Sequence, residues 1–535
     1  MDGAPHMSVL LDRKGRDIFS MALFTMCARF VTWRRLGVLP ALLPLLVPGT
    51  GRSAIQVAPH AQPALLTLAV QHPRTTVRVI VERTRHATGT EALVTRLGGR
   101  VTTQLPIINA FAATLPAHAV PEVARASGVR WVSPDAPMVT SALIPLGSTC
   151  TACVDTSHLQ NAYIRAIHAD QVWNTSPYLQ GQGIGVAVID SGIAPHADFR
   201  NGLQSRIVAS VNFNSLVTSL ADGYGHGTSV AGIIGGNGAM SSGGYSGVAP
   251  KVNLVNVRVS SDAGATSTSD VVSALQWVLN HKTTYNIRVV NLSLNSSVAE
   301  SYHVDPLDAA CEILWNNQIA VVVSGGNNGS TNNGILYPPA NDPFVISVGA
   351  TTGGTGTAST SGDTLARYSA YGTTSDGFAK PDLVAPGTNI ISTLASSSAT
   401  MVLSHPDHLV LNPSYFRMSG TSIAAPVVSG AVALLLQSNP TLTPDQVKYR
   451  LKATAHPFGR GAGAGYLDIY AAVNSTMTAS ANTGIPPSQV LTAGSQPVTW
   501  ANWNSANWSS ANWSSANWSS ANWSSANWSS DYWGS

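Results

Sequence analysis

Three residue types that together perform nucleophilic catalysis occur in separate motifs of this chain. Asp190 ends an apolar run, His226 lies in the glycine-rich run 223–232, and Ser422 lies in the run 419–426, Ser-Gly-Thr-Ser-Ile-Ala-Ala-Pro. A serine oxygen becomes a nucleophile when an imidazole removes its proton and a carboxylate orients that imidazole. The residue types and their order therefore predict an Asp–His–Ser triad.

The local context of Ser422 supports this interpretation. An apolar run follows the serine and predicts a long helix. A serine at a helix N-terminus lies at the positive end of the helix dipole, beside unpaired backbone N–H groups. That position favours an oxyanion, although helix N-capping also explains an isolated serine. Asp190 at a strand end and His226 at a helix start favour the catalytic interpretation.

Apolar runs that alternate with helical patterns predict the framework around these residues. The run 184–189 is apolar throughout, which is typical of a strand buried in a parallel sheet. Further strands are predicted at 252–257, 287–294, 319–323 and 345–348, and helices at 269–280 and 307–316. This alternation predicts an α/β fold with a doubly wound, mostly parallel sheet, and Asp190 lies at the strand end where such sheets place their sites.

With the three motifs in this order, the chain resembles the subtilisin family of serine proteases from about residue 172 to residue 472. The resemblance implies that Asn327, in the turn after a strand, donates its amide N–H to the oxyanion. The backbone N–H of Ser422 is implied as the second donor. A plain turn residue is the alternative for Asn327, and its neighbour Asn328 suits that role better.

The resemblance also implies an extended substrate strand paired with the enzyme. Its implied partners are Ser293, Leu294 and Asn295 on one edge, and the run beginning at Gly244 on the other. The family usually has two glycines where this chain has Asn295 and Ser296. We therefore expect a crowded or more polar S1 pocket, or side chains that turn away and leave the pocket open.

A strand-and-helix pattern precedes the catalytic region. Residues 77–138 follow the order β-α-β-β-α-β, which is the ferredoxin-like split unit. This small α+β domain resembles the inhibitory propeptide of subtilisins, whose end occupies the active site. An unrelated α+β module is the alternative interpretation. The peptidase domain is then expected at 150–473.

The two ends of the chain have compositions of their own. Residues 1–54 contain an arginine pair and a short apolar stretch, which predict a signal region, with a non-cleaved anchor as the alternative. Residues 474–499 are polar and suggest a linker. Residues 500–535 carry an Ala-Asn-Trp-Ser-Ser repeat, which is consistent with disorder and equally with contact to a cell surface or glycan.

Composition excludes some partners. The net charge is +3 over 535 residues and no basic patch is interleaved with aromatics, so nucleic acid is not expected. Cys150 and Cys153 have no second Cys pair, which favours a local disulfide or plain thiols over a zinc site. The two histidines of run 405–408 favour a solvated loop over a metal site. No cofactor is required, and a structural calcium with Asp198 as one ligand is left open.

These patterns predict a secreted serine endopeptidase that acts on polypeptides. The propeptide pattern predicts a self-processing precursor that its own propeptide inhibits. The alternative is a surface-binding protein on a degenerate protease scaffold, in which the tryptophan repeat is the working part.

Overall fold

The computed structural model describes residues 60–84, 89–139, 148–149, 156, 158–329, 335–352, 360–411 and 413–491. The predicted signal region at 1–54, the Cys150 and Cys153 pair, and the repeat at 500–535 lie outside these residues.

A seven-stranded sheet forms the centre, and every neighbouring pair of its strands is parallel. In sheet order its strands are Ile207–Asn212, Asn253–Arg258, Gly185–Asp190, Ile287–Leu292, Ala320–Ser324, Ile346–Thr351 and Leu383–Pro386. The five strands predicted from apolar runs are the inner five. The predicted α/β class with a doubly wound parallel sheet is therefore confirmed.

The two edge strands were not predicted from the sequence. Ile207–Asn212 is an edge strand of the described sheet and has only half-buried and exposed residues, so it lacks a long apolar run. Leu383–Pro386 is fully buried but has only four residues. Short or half-exposed strands give a weaker pattern than long apolar runs.

Helices cover both faces of the sheet. They are Ala162–Ala166, Ala169–Asn174, His226–Gly235, Thr268–His281, Pro306–Asn316, Thr400–Ser404, Thr421–Ser438, Pro444–Ala453 and Ile469–Asn474. Among the described residues, Thr421–Ser438 is the one helix long and apolar enough to cross a membrane, and 89% of that stretch is buried inside the protein. It is thus the helix around which the core packs.

A second, antiparallel sheet precedes the central one. Its strands, in sheet order, are Arg100–Leu105, Ala110–Pro116, Thr76–Arg83 and Val129–Pro134. The helices of this part are Pro63–Gln71, Thr90–Arg96 and Val120–Val123. Apart from the added first helix, this is the β-α-β-β-α-β order of the ferredoxin-like unit.

The small sheet shares the main apolar core. Ile80, Ile107 and Ile108 are buried in the same cluster as the central sheet. Residues 106–108 contact the helices Thr268–His281 and Pro306–Asn316. These two helices therefore form the platform that carries the small sheet.

Short antiparallel pairings complete the described structure. They are Ser148–Thr149 with His158–Leu159, Arg200–Asn201 with Gln204–Ser205, Gly372–Thr373 with Ala379–Lys380, and Tyr415–Met418 with both Ile390–Thr393 and Leu409–Val410. The three-stranded sheet that contains Pro137–Val139 is described with the site.

The start of the predicted linker is packed against the protein rather than extended. The backbone N–H of Ser488 donates to both carboxylate oxygens of Glu312, and the Tyr302 hydroxyl donates to the Pro486 carbonyl. Arg130 of the small sheet donates to the Val490 carbonyl at 3.2 Å. The linker prediction is thus wrong for 474–491, because its polar backbone is held by buried partners.

Candidate active site

Asp190, His226 and Ser422 form one chain of hydrogen bonds. The Nδ1 atom of His226 lies 2.8 Å from Asp190 Oδ1 and 3.0 Å from Oδ2, and its Nε2 atom lies 3.2 Å from the Ser422 hydroxyl. Asp190 and His226 are fully buried, and Ser422 is 2% exposed. The arrangement can pass a proton from the serine hydroxyl to an imidazole whose other nitrogen faces a carboxylate.

Three elements bring these side chains together. Asp190 is the last residue of the central strand Gly185–Asp190, and His226 is the first residue of the helix His226–Gly235. Ser422 is the second residue of the helix Thr421–Ser438, which packs against the His226 helix. A strand end and two helix starts therefore meet at one edge of the sheet, as expected for a doubly wound fold.

Glycines on either side of His226 allow its close approach to Asp190. Gly225 has a φ of +105°, a backbone conformation that side chains disfavour. A Cβ on Gly227 would lie 2.3 Å from the Gly192 carbonyl oxygen. Glycine is thus required on both sides of the histidine, because larger residues there would disturb the packing of His226 against Asp190.

Asp222 was not singled out from the sequence, yet it holds the turn that carries His226. Its carboxylate accepts hydrogen bonds from the Ser191 hydroxyl, the Gly225 N–H, and both the N–H and the hydroxyl of Thr228. Burial raises the pKa of the Asp222 carboxyl, although these hydrogen bonds oppose that effect. Because Ser191 follows Asp190, this network fixes the carboxylate strand and the histidine helix relative to each other.

Pro426 changes the hydrogen bonding of the helix that carries Ser422. In a regular helix the N–H of residue 426 would donate to the carbonyl of residue 422, but proline has no N–H. The Ser293 hydroxyl donates to that Ser422 carbonyl instead, at 2.7 Å. Asn291 donates to the Ser293 oxygen at 2.9 Å, and Ser429 donates to Asn291. Ser293, expected as a substrate-edge residue, therefore also anchors the backbone of Ser422.

Asn327 lies beside the start of the Ser422 helix. Its Oδ1 atom accepts hydrogen bonds from the Thr421 N–H at 2.9 Å and from the Thr421 hydroxyl at 2.8 Å. The Thr421 hydroxyl also accepts the N–H of Gly326. The carbonyl side of the amide thus faces Thr421, and the nitrogen side is oriented away from it. Thr421, which the sequence did not identify, sets this orientation.

A segment from the N-terminal part of the chain lies along the site as a strand. Pro137–Val139 is the middle strand of a three-stranded antiparallel sheet. Met138 pairs with Ser296 on one side and with Thr266 on the other. Val139 pairs with Asn295, so the register points the strand towards Ser293. Of the edge expected at 293–295, Asn295 pairs with this segment, and the pairing continues to Ser296 rather than to Ser293 and Leu294.

The other edge of this sheet differs from the expectation. It is the strand Thr266–Ser267, which follows the central strand Asn253–Arg258. Gly244 lies elsewhere, where its carbonyl accepts the N–H of Gln160. The placement of Gly244 on the opposite wall is therefore wrong, because the pairing edge comes from the loop after a central strand.

The side chains of Asn295 and Ser296 point in different directions. Asn295 donates its amide to the Ser324 carbonyl at 2.9 Å and accepts the Ser324 hydroxyl at 3.2 Å. Ser296 accepts the N–H of Val298 and is buried within its own loop. Leu294 is fully buried in the core. Of these two side chains, Asn295 is thus the one that connects the strand edge to Ser324, at the end of the strand before the Asn327 turn.

The small sheet is attached beside this strand through Asp135. The Asp135 carboxylate accepts the N–H and the hydroxyl of Ser269, at 3.0 and 2.8 Å, at the start of the helix Thr268–His281. Arg78 forms an ion pair with the same carboxylate. A carboxylate at a helix N-terminus is favoured by the helix dipole. These contacts fix the residues immediately before Pro137.

Asp198, which the sequence left open as one ligand of a structural calcium, has both carboxylate oxygens engaged by the protein. One of its oxygens accepts the N–H of Met240 at 2.9 Å, and the other accepts the Tyr415 hydroxyl at 2.7 Å. Both oxygens therefore already have protein donors, whereas a calcium ion requires six or more oxygen ligands. In run 405–408, donor atoms of His405, Asp407 and His408 do lie within 4.8 Å of one another, and the rings of the two histidines stack.

The comparisons with known proteins agree with this fold and geometry. Residues 181–491 match the Subtilase family. The chain is 38% identical over 292 residues to serine protease AprX of Bacillus subtilis, covering 54% of this chain and 64% of AprX. It is 34% identical over 281 residues to subtilisin Savinase of Lederbergia lenta, covering 52% of this chain and 86% of that protein.

A solved structure shows the same fold. Fervidolysin from Fervidobacterium pennivorans, a keratinolytic enzyme related to subtilisin, aligns with a TM-score of 0.59 and 24% identity. The alignment covers 76% of this chain and 62% of fervidolysin. The matched region thus spans less than two thirds of AprX and of fervidolysin. Because the family match extends over more than half of the sequence, this chain belongs to the subtilase family.

Proposed function

We propose that this protein is a serine endopeptidase that cleaves polypeptides through Asp190, His226 and Ser422. The Ser422 hydroxyl attacks the scissile carbonyl, and His226 takes its proton and returns it to the leaving amine. Asp190 keeps the imidazole in the required tautomer and stabilises its protonated form. The observation that carries the proposal is the hydrogen-bond chain of 2.8 and 3.2 Å.

The oxyanion formed by that attack is stabilised by two donors in this proposal. The Asn327 amide nitrogen is one, because its oxygen is already engaged by Thr421. The Ser422 N–H at the helix start is the other. Both groups are positioned before substrate binds, so little reorganisation accompanies the reaction.

Substrate binds as an added strand in this proposal. The edges Asn295–Ser296 and Thr266–Ser267 both pair with an extended segment. Main-chain hydrogen bonds of this kind hold a polypeptide whatever its sequence, and pockets for side chains add preference. The substrate class is therefore an extended stretch of polypeptide.

The segment that fills this position belongs to the chain itself, which supports a self-processing precursor. In this proposal the region 77–138 is a propeptide that inhibits the enzyme, and residues 150–473 form the peptidase. N-terminal sequencing of active protein should begin between about residues 139 and 161. A beginning near Ala58 in active enzyme would contradict the proposal, because the small sheet would then still be attached.

Secretion completes the proposal. The apolar stretch before residue 54 acts as a signal region, and the reaction takes place outside the cell. The charge-poor composition, with 10% charged residues against roughly a quarter in ordinary domains, suits that setting. The tryptophan repeat is assigned no part in the reaction.

A fluorophosphonate probe tests the enzyme assignment directly. The wild-type chain should be labelled covalently at Ser422, and Ser422→Ala should lose labelling, peptidase activity and self-processing together. Ser438→Ala, at the exposed end of the same helix, is the matched control for serine selectivity and should still be labelled. Peptidase activity at the wild-type level in Ser422→Ala would overturn the proposal. An unlabelled wild-type chain would favour the degenerate scaffold.

A further inference from the structure

Three side chains from distant parts of the sequence converge outside the active site. Single ligand atoms of His168, His456 and Asp468 all lie within 4.8 Å of one another. His168 Nδ1 lies 3.0 Å and His456 Nε2 lies 2.7 Å from the same oxygen, Asp468 Oδ2. The two imidazole rings are perpendicular, with centroids 5.7 Å apart. We name these three residues the His-His-Asp cluster.

Backbone hydrogen bonds set the positions of all three residues. The N–H of Ile469 donates to the Ile167 carbonyl at 3.0 Å, which places residue 168 beside residue 468. His456 and Tyr466 exchange both of their backbone hydrogen bonds at 2.8 Å, which brings residue 456 to the same place. The cluster is therefore assembled by the fold itself.

The orientation of the Asp468 carboxylate is also fixed by a hydrogen bond. Its Oδ1 atom accepts the N–H of Ala471 at 2.9 Å and caps the helix Ile469–Asn474. That bond leaves Oδ2 as the oxygen that faces both imidazoles. Hydrogen bonds that orient ligands in this way are a general feature of metal sites.

We propose that the His-His-Asp cluster binds a divalent transition-metal ion, with zinc as the best match. Two imidazole nitrogens and one carboxylate oxygen are the donors that zinc prefers, whereas calcium requires six or more oxygens. Tetrahedral bonds of about 2.0–2.1 Å put ligand atoms roughly 3.3 Å apart. The present distances from Asp468 Oδ2 to the two imidazole nitrogens are 2.7 and 3.0 Å, so a small rotation of the imidazoles would reach that separation.

Exposure leaves room for a fourth ligand. The side chain of His456 is 49% exposed and that of His168 is 32% exposed, while Asp468 is 7% exposed. Water can therefore complete the coordination from the solvent side. This pattern of three protein ligands and one open position is familiar for zinc.

The ion would join two parts of the peptidase that are far apart in sequence. His168 precedes the helix Ala169–Asn174, whereas the other two ligands flank the C-terminal helices. All three lie after the region that the proposed maturation removes, so the site persists in the active enzyme. An ion that binds only the folded chain raises its stability by mass action.

Zinc titration of the full-length chain carrying Ser422→Ala tests this proposal, because that substitution prevents self-digestion. Calorimetry should give one zinc ion per chain, and zinc should raise the Tm of this chain but not that of the same chain carrying His456→Ala. His456→Ala should weaken zinc binding by about 100-fold, and Asp468→Asn by at least about 10-fold. Asparagine is also a good helix cap, so Asp468→Asn should keep the start of the helix Ile469–Asn474 in place.

Two matched controls separate this site from its competitors. His405→Ala removes a ligand from the second group of histidines, and Cys150→Ser with Cys153→Ser removes the cysteine pair. Both should leave zinc affinity unchanged, and bound cobalt should show no thiolate charge-transfer band. Zinc affinity that survives His456→Ala, or that is lost in either control, would overturn the proposal. So would the absence of binding at millimolar zinc.

Discussion

Asn327 owes its proposed role to Thr421, since both the N–H and the hydroxyl of Thr421 bind the amide oxygen. Asn327→Ala should lower kcat by about 10²–10³ with little change in KM, which is the scale established for such a donor in a subtilisin. Steady-state kinetics on a peptide substrate measure this. Asn328→Ala is the neighbouring control and should have a much smaller effect. An effect confined to KM would contradict the oxyanion role.

Asn295 makes a separate prediction about specificity. Its side chain is fixed to Ser324 by two hydrogen bonds, at the strand edge where we propose that substrate binds. Asn295→Gly should therefore raise kcat/KM for aromatic P1 residues by roughly 10- to 100-fold relative to small ones. A P1 library compares the two enzymes.

Ser296→Gly is the control for the Asn295 prediction. Its hydroxyl faces its own loop, so the substitution should leave the P1 profile unchanged. A wild-type profile led by Phe and Leu, unaltered in Asn295→Gly, would show that Asn295 does not restrict the pocket.

At the scale of elements, we expect the stability of the precursor to depend on pH through Asp270, which lies on the helix Thr268–His281 that Asp135 contacts. Burial, reinforced by the nearby Asp135 carboxylate, raises the pKa of Asp270 to about 7 from an ordinary 3.8. The folded precursor thus keeps a proton that the unfolded chain releases. The contribution of the protonated Asp270 carboxyl to the free energy of unfolding is complete below pH 3.8 and declines as the pH rises towards 7.

Asp270→Asn imitates the protonated carboxyl and should remove this decline. In the Ser422→Ala precursor, the variant should unfold roughly 2–4 °C above its parent at pH 8 and close to it at pH 4. Differential scanning calorimetry measures both. Asp407→Asn changes an exposed carboxylate and should show no such trend. An equal effect of Asp270→Asn at both pH values would exclude titration as the cause.

Element type and order were largely predictable, and the exceptions have physical causes. Inner strands such as Gly185–Asp190 are buried on both faces, so their apolar runs are long. The proposed substrate edge Thr266–Ser267 has two residues and is defined only by its partner Pro137–Val139. No local pattern could distinguish it from the loop at Gly244. Asp222 was missed for the same reason, because its hydrogen bonds join residues from separate motifs.

At the scale of the whole molecule, a buried ion network joins the start of the edge strand Leu383–Pro386 to the helix Pro444–Ala453. Asp382 contacts Lys380 at 2.8 Å, and Lys448 and Lys452 at 3.0 Å each. Burial alone would raise the pKa of Asp382, but the three lysines hold it well below its usual range. Burial also lowers the pKa of Lys448 to about 7.

Asp382→Ala should therefore be among the most destabilising substitutions, because it leaves two buried ammonium groups without an anion. We expect a loss of about 3–5 kcal/mol in the free energy of unfolding. Urea denaturation of the Ser422→Ala chain measures this. Lys452→Ala removes the exposed partner and should lose less than about 1 kcal/mol. Equal losses would show that burial does not determine the strength of the network.

The strand Pro137–Val139 has a consequence for a population of molecules. The strand pairs with both edges of the proposed substrate cleft. If the region 77–138 is a propeptide as proposed, we expect a chain that has cut itself to remain inhibited until this segment is degraded. The first active molecules could then degrade the proposed propeptides of other molecules, so the rate of activation would rise as active enzyme accumulates. Peptidase activity should thus appear after a lag that shortens as the concentration of the precursor increases. Adding a trace of active enzyme should abolish this lag. In that case the pairing of Pro137–Val139 would delay proteolysis until after the chain has been made and folded.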